Sequence, residues 1–83
     1  MQSIIVEVYV PALSISFDFR LPATGKIGDL TQEMINVLER TQQNIRFDRE
    51  QPMLCDRERG VVLKREDTVA EAGLRDSAQL MLL

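Results

Sequence analysis

Residues 60–83 read GVVLKREDTVAEAGLRDSAQLMLL, and three structural signals follow one another along this stretch. Gly60 closes a polar turn that begins at Asp56 and supplies permissive backbone for it. Val61 to Lys64 then reads as a short strand. Thr68, followed three positions later by Glu71, is a capping box at the head of a short helix that Gly73 stops. Leu74 drops back toward the core. Gln79 to Leu83 alternates as a strand, with Leu80 and Leu82 on one side and Met81 and Leu83 on the other.

Working outward, Ser3 to Val10 has a period of two: Ile4, Val6, Val8 and Val10 against Ile5, Glu7 and Tyr9. Pro11, Ala12 and Leu13 interrupt it, because proline cannot donate to a ladder. Ile15, Phe17, Phe19 and Leu21 then alternate with Ser16, Asp18 and Arg20 until Pro22. Two such runs joined by a few turn residues predict a β-hairpin covered on one side. From Ile27 the period becomes helical: Ile27, Leu30, Met34, Ile35 and Leu38 form one stripe. Asp29 in the first turn and Arg40 in the last suit the helix dipole, and the helix is expected from about Ile27 to Gln42. Gln43 to Gln51 is a polar loop anchored by Ile45 and Phe47, and Met53 to Asp56 is a further short strand. Leu30, Met34, Phe17 and Leu80 are expected to share the core between helix and sheet.

The 83 residues are 45% hydrophobic and 28% charged, enough for one compact core and too few for two domains. We therefore expect a single domain over 1–83. Ten Lys and Arg against thirteen Asp and Glu give a net charge of −3, which duplex nucleic acid repels. No histidine is present and one cysteine, so neither Ser/His nor Cys/His catalysis, nor a His- or thiolate-bound metal, has the residues it needs. No apolar run reaches the ~20 residues of a membrane span, and the N-terminus lacks the basic region of a signal peptide. The expectations are no enzyme activity, no cofactor, no metal, no nucleic acid, no membrane insertion and a cytoplasmic location.

The element order ββαββ(short helix)β is that of an α+β chain, and with these spacings it resembles the ubiquitin-like β-grasp fold. That fold has a mixed sheet of four to five strands with one helix packed across one face. Gly60-x-x-Leu63, then Thr68-Val69-x-Glu71-x-Gly73-Leu74, then alternating leucines match ubiquitin's own series. Within that superfamily the chain is most similar to the small YukD/EsaB proteins encoded with the type VII (WXG, Esx) secretion systems of Gram-positive bacteria. The shared features are the length, a first strand ending in Val10-Pro11, and the turn from Ala72 to Ser77. The resemblance implies a non-enzymatic, cytoplasmic interaction module whose protein partner is a membrane component of the secretion machinery. The alternative is a β-grasp domain that assembles homodimers or larger oligomers through its exposed sheet. Conjugating ubiquitins need a flexible Gly-Gly tail. Here Gln79 to Leu83 belongs to the expected strand, which implies a non-conjugating member.

Three features admit a functional and a purely structural reading. Gly25-Lys26-Ile27-Gly28 has the glycines of a phosphate loop, but a P-loop needs Ser or Thr after the lysine; the other reading is an ordinary strand-to-helix connection. The segment 46–65 carries +2 while the remainder carries −5. It is either a solvated charge-laced surface or a face that orients the domain against an acidic partner. Finally, Ile5, Tyr9, Leu13, Met53, Cys55, Met81 and Leu83 fall on the side of the sheet away from the helix. Single exposed apolar residues are ordinary, whereas a contiguous group marks a protein-binding or self-association surface. Cys55 is read as a small hydrophobe within that group, since nothing basic stands near it without an acid beside it.

Overall fold

A computed structural model describes residues 2–42 and 52–83. The expected loop anchored by Ile45 and Phe47, and the charges at Arg46, Asp48, Arg49 and Glu50, lie outside the described residues. Among the described residues, five strands and one helix follow in the order β1 (Ser3–Val10), β2 (Ile15–Pro22), α1 (Ile27–Thr41), β3 (Leu54–Asp56), β4 (Val61–Val62) and β5 (Gln79–Leu82). The strands form one mixed sheet in the order β2-β1-β5-β3-β4. β5 enters between β1 and β3, parallel to β1 and antiparallel to β3. This is the ubiquitin-like β-grasp topology, with the helix across one face.

Alternation does the sorting. Val6, Val8 and Val10 of β1, Leu54 of β3, and Leu80 and Leu82 of β5 are all buried against the helix stripe of Ile27, Leu30, Met34, Ile35 and Leu38. Leu63, Val69, Leu74 and Ala78 close the core from the connections. Phe17 departs from its expected place. It and Phe19 only partly cover the core, and Ile15 is 49% exposed, because β2 is an edge strand with a neighbour on one side alone.

No side chain caps the start of α1. Its first donors are satisfied by tertiary backbone contacts instead: the Ile27 N–H donates to the Asp67 carbonyl at 2.8 Å, and Gly28 to that of Arg65 at 2.9 Å. A Cβ on Gly28 would stand 3.2 Å from the Arg65 side chain. The Arg65 side chain folded over Gly28 leaves little room for a Cβ there, and the two amides a phosphate would seek are already occupied.

The expected short helix after Thr68 is a single turn. The capping box forms, with the Thr68 N–H donating to Glu71 Oε1 at 2.8 Å and the Glu71 N–H to Thr68 Oγ1 at 3.1 Å. These bonds hold the Glu71 carboxyl below its ordinary value. A Schellman closure follows at once: Gly73, at φ +73°, donates to Ala70, and Leu74 donates to Val69. The two caps meet with one turn between them, so no helix propagates.

Candidate interaction face

The register of the sheet decides which outward side chains are neighbours. Tyr9 pairs with Met81, Met81 with Cys55, and Cys55 with Val62, which makes one apolar row across four strands on the face without a helix. Met53 and Leu83 exchange N–H and C=O contacts at 3.2 and 2.9 Å and extend the row by one step along β3 and β5. Both are exposed, while Tyr9, Cys55 and Met81 are half-buried by one another's company on the pleat. The expected residues Tyr9, Met53, Cys55, Met81 and Leu83 are therefore brought together.

Two expected members are placed elsewhere. Leu13 sits in the 11–14 turn and packs against the hydrophobic core. That turn needs a left-handed residue, Ser14 at φ +55°, to close, and closing it brings Leu13 against the core rather than the free face. Ile5 is exposed on the correct face but is cut off from the row by Glu7. Its N–H is held by Asp76 Oδ1 at 2.8 Å and its carbonyl by the Ser77 N–H at 2.7 Å, so it belongs to the margin where β1 meets the 76–78 turn.

Two residues of the face escaped the sequence reading. Val62 is 55% exposed and ends the row; the hairpin through residues 57–60 sets it opposite Cys55, a register that the sequence signals only through turn length. Arg57 shares the outward parity of Cys55 and lays its guanidinium 5.2 Å from the centroid of the Tyr9 ring. It gives the row a cationic rim at the Tyr9 end. At the β3–β4 end of the row lies a shallow depression of about 320 Å³ bordered by Cys55, Arg57, Val61, Val62 and Met81.

The chemistry of this face is that of contact. Burial pushes the Cys55 thiol up from its ordinary value, the direction that keeps it protonated. The nearby arginines are engaged elsewhere: Arg57 over Tyr9, and Arg59 on Asp56 through Nε at 2.6 Å. Among the described residues, no three His, Cys, Asp or Glu side chains converge as a metal site would require. No helix of the described residues is long and apolar enough to cross a membrane.

No family model and no curated relative matches the chain. Among solved structures it is similar to the EccD5 ubiquitin-like domain from Mycobacterium xenopi, at 18% identity over 100% of this chain and 94% of that one, with a TM-score of 0.81. Caldiarchaeum subterraneum ubiquitin is 11% identical over 98% of this chain and 91% of its own, with a TM-score of 0.76. A chain of the toluene 4-monooxygenase HD complex, solved with the inhibitor 4-bromobenzoate, is 10% identical over 98% and 96%, with a TM-score of 0.78. At these identities the likeness is one of fold, and a fold shared with both ubiquitin and a chain of an oxygenase complex does not fix function.

Proposed function

We propose that this chain is a non-enzymatic ubiquitin-like interaction module of the YukD/EsaB kind, a cytoplasmic accessory of a Gram-positive type VII secretion system that docks on a component of the secretion machinery. The observation that carries the reading is the apolar row Tyr9–Met81–Cys55–Val62 on the sheet face opposite the helix. An apolar strip that crosses four strands and is continued by Met53 and Leu83 is the kind of surface a protein partner desolvates. Methionines at its centre and edge suit an adaptable contact. The likeness to the EccD5 ubiquitin-like domain is one of fold, and that fold is the one such a module would have.

The test is the double change Cys55→Asp with Met81→Glu. Each carboxylate would be unpaired in a closed interface and cost several kcal/mol there, whereas on the solvated face the fold loses about 1 kcal/mol. Circular dichroism should stay native-like. Capture from a lysate of the producing cells, read by mass spectrometry, should lose a secretion-system component that the unaltered chain retains. Retention of that component by a folded double variant contradicts the proposal, as does a wild-type capture that contains none. If light scattering instead shows a wild-type oligomer that only this double variant dissolves, the face serves self-assembly.

A further inference from the structure

β2 is the long open edge of the sheet, eight residues against the two of β4 at the other end. The direction of its free backbone groups follows from its neighbours. Ile5 and Glu7 point their N–H groups toward Asp76 and Ala78, on the β5 side of β1. The even residues Ile4, Val6 and Val8 therefore serve β2, where they meet Leu21, Phe19 and Phe17. Ser16, Asp18 and Arg20 consequently direct both N–H and C=O outward at the open edge. Such an edge is a template for a further strand.

The side chains on that edge carry a second observation. Asp18 stands directly opposite Glu7 in the β1–β2 register, a like-charged cross-strand pair of the kind that destabilises a sheet. Among the described residues Asp18 has no hydrogen-bond or ion-pair partner of its own. Arg20 holds only a 3.3 Å bond to Ser3 Oγ. On the helix side of the same strand, Phe17 and Phe19 are left partly covered.

We infer that β2 pairs antiparallel with β2 of a second copy of this chain, with the two-fold axis at Phe19, so that Asp18 of each copy faces Arg20 of the other. A two-fold axis normal to the sheet keeps paired residues on one face, which allows only registers centred on a residue. Centred on Phe19, each Asp18 gains a directly opposed cation, Phe19 meets Phe19, and Phe17 meets Leu21. The outward N–H and C=O groups of Asp18 and Arg20 satisfy one another, and the ladder stops at Pro22, which has no N–H to give. Centred on Asp18 the carboxylates would oppose each other, and centred on Arg20 the guanidinium groups would. Charges on an edge ordinarily deter pairing; this pair deters the two adjacent registers, and the one centred on Phe19 is the one that sets opposite charges face to face. The dimer leaves the row through Met81 and Cys55 free, so it stands independently of the docking proposed above.

Sedimentation of the whole chain over a concentration series tests this. The mass of the unaltered chain should rise toward twice its 9.5 kDa. Asp18→Arg alone and Arg20→Asp alone should each stay at the monomer mass. An equimolar mixture of those two variants should recover the doubled mass, as should the combined exchange within one chain. Cys55→Asp with Met81→Glu should leave the dimer unchanged. Should a reversal variant lose its native circular dichroism, Asp18→Asn keeps the shape, drops the charge and should weaken the dimer severalfold. A chain that stays monomeric at every concentration overturns the inference. So does a dimer indifferent to the single exchanges, or a mixture that fails to recover it.

Discussion

Leu80→Ala should remove about 2–5 kcal/mol of stability, since the lost transfer free energy and the cavity left behind add. Leu80 has no solvent exposure. It lies on the central strand, flanked by Val8 on one side and Asp56 on the other, and the only surroundings that could collapse into the vacated space are themselves packed. A chain of this length has about 4–12 kcal/mol in total, so the loss is a large part of it. Urea denaturation should show a lower midpoint at an unchanged slope. Val62→Ala, on the exposed end of the apolar row, should stay within about 0.5 kcal/mol. A Leu80 variant as mild as the Val62 variant would mean that β5 is not the middle of the sheet.

The second large effect is expected at Asp56. This carboxylate is buried at the end of β3. Its Oδ1 accepts the Glu58 N–H at 2.9 Å and the Arg59 N–H at 3.3 Å, and its Oδ2 accepts Arg59 Nε at 2.6 Å. Arg59 in turn donates to the Ala72 carbonyl at 2.6 Å, tying the 56–60 turn to the capped turn at 68–73. Asp56→Ala leaves those donors without an acceptor and should cost about 2–3 kcal/mol. Burial pushes the Asp56 carboxyl up, but the Arg59 side chain, the two backbone donors and the Arg59 charge together outweigh it and hold the group below its ordinary value. Because the folded value lies below the unfolded value of about 3.9, the stabilisation is present above the unfolded value and is lost as pH falls through the folded one. Urea midpoints measured from neutral to strongly acid pH should therefore fall less steeply for Asp56→Asn than for the unaltered chain. Equal acid limbs would mean that the carboxylate is not held by Arg59.

The burial of Asp56 was written in the sequence, since it shares its parity with Leu54. The alternating charges that follow it drew it into a solvated turn instead. The strands β1 and β2 and the helix are legible for a related reason: period two and period 3.6 persist there over several repeats, and burial obeys them. Strand order is a different matter. Alternation tells which face a residue takes, not whether its strand has one neighbour or two, so Phe17 and Ile15 looked as interior as Val8. Leu13 was misplaced because the fate of a turn residue depends on how the chain rolls over the sheet end, here through the left-handed Ser14. Val62 and Arg57 entered the face through a hairpin register and a ring contact, both long-range facts. The capping signature at Thr68 and the stop at Gly73 were both legible, because each is a local side-chain or backbone preference, and the structure closes a single turn between them.

The chain is proposed to work by contact through the sheet face away from its helix. A photo-crosslinking amino acid placed at Met81, and in a separate variant at Asn36 on the exposed side of α1, tests it inside the producing cells. One discrete adduct is expected from position 81, identified by mass spectrometry as a secretion-machinery protein, with none from position 36. An adduct from position 36 alone, or none from position 81 in a folded chain, would contradict it.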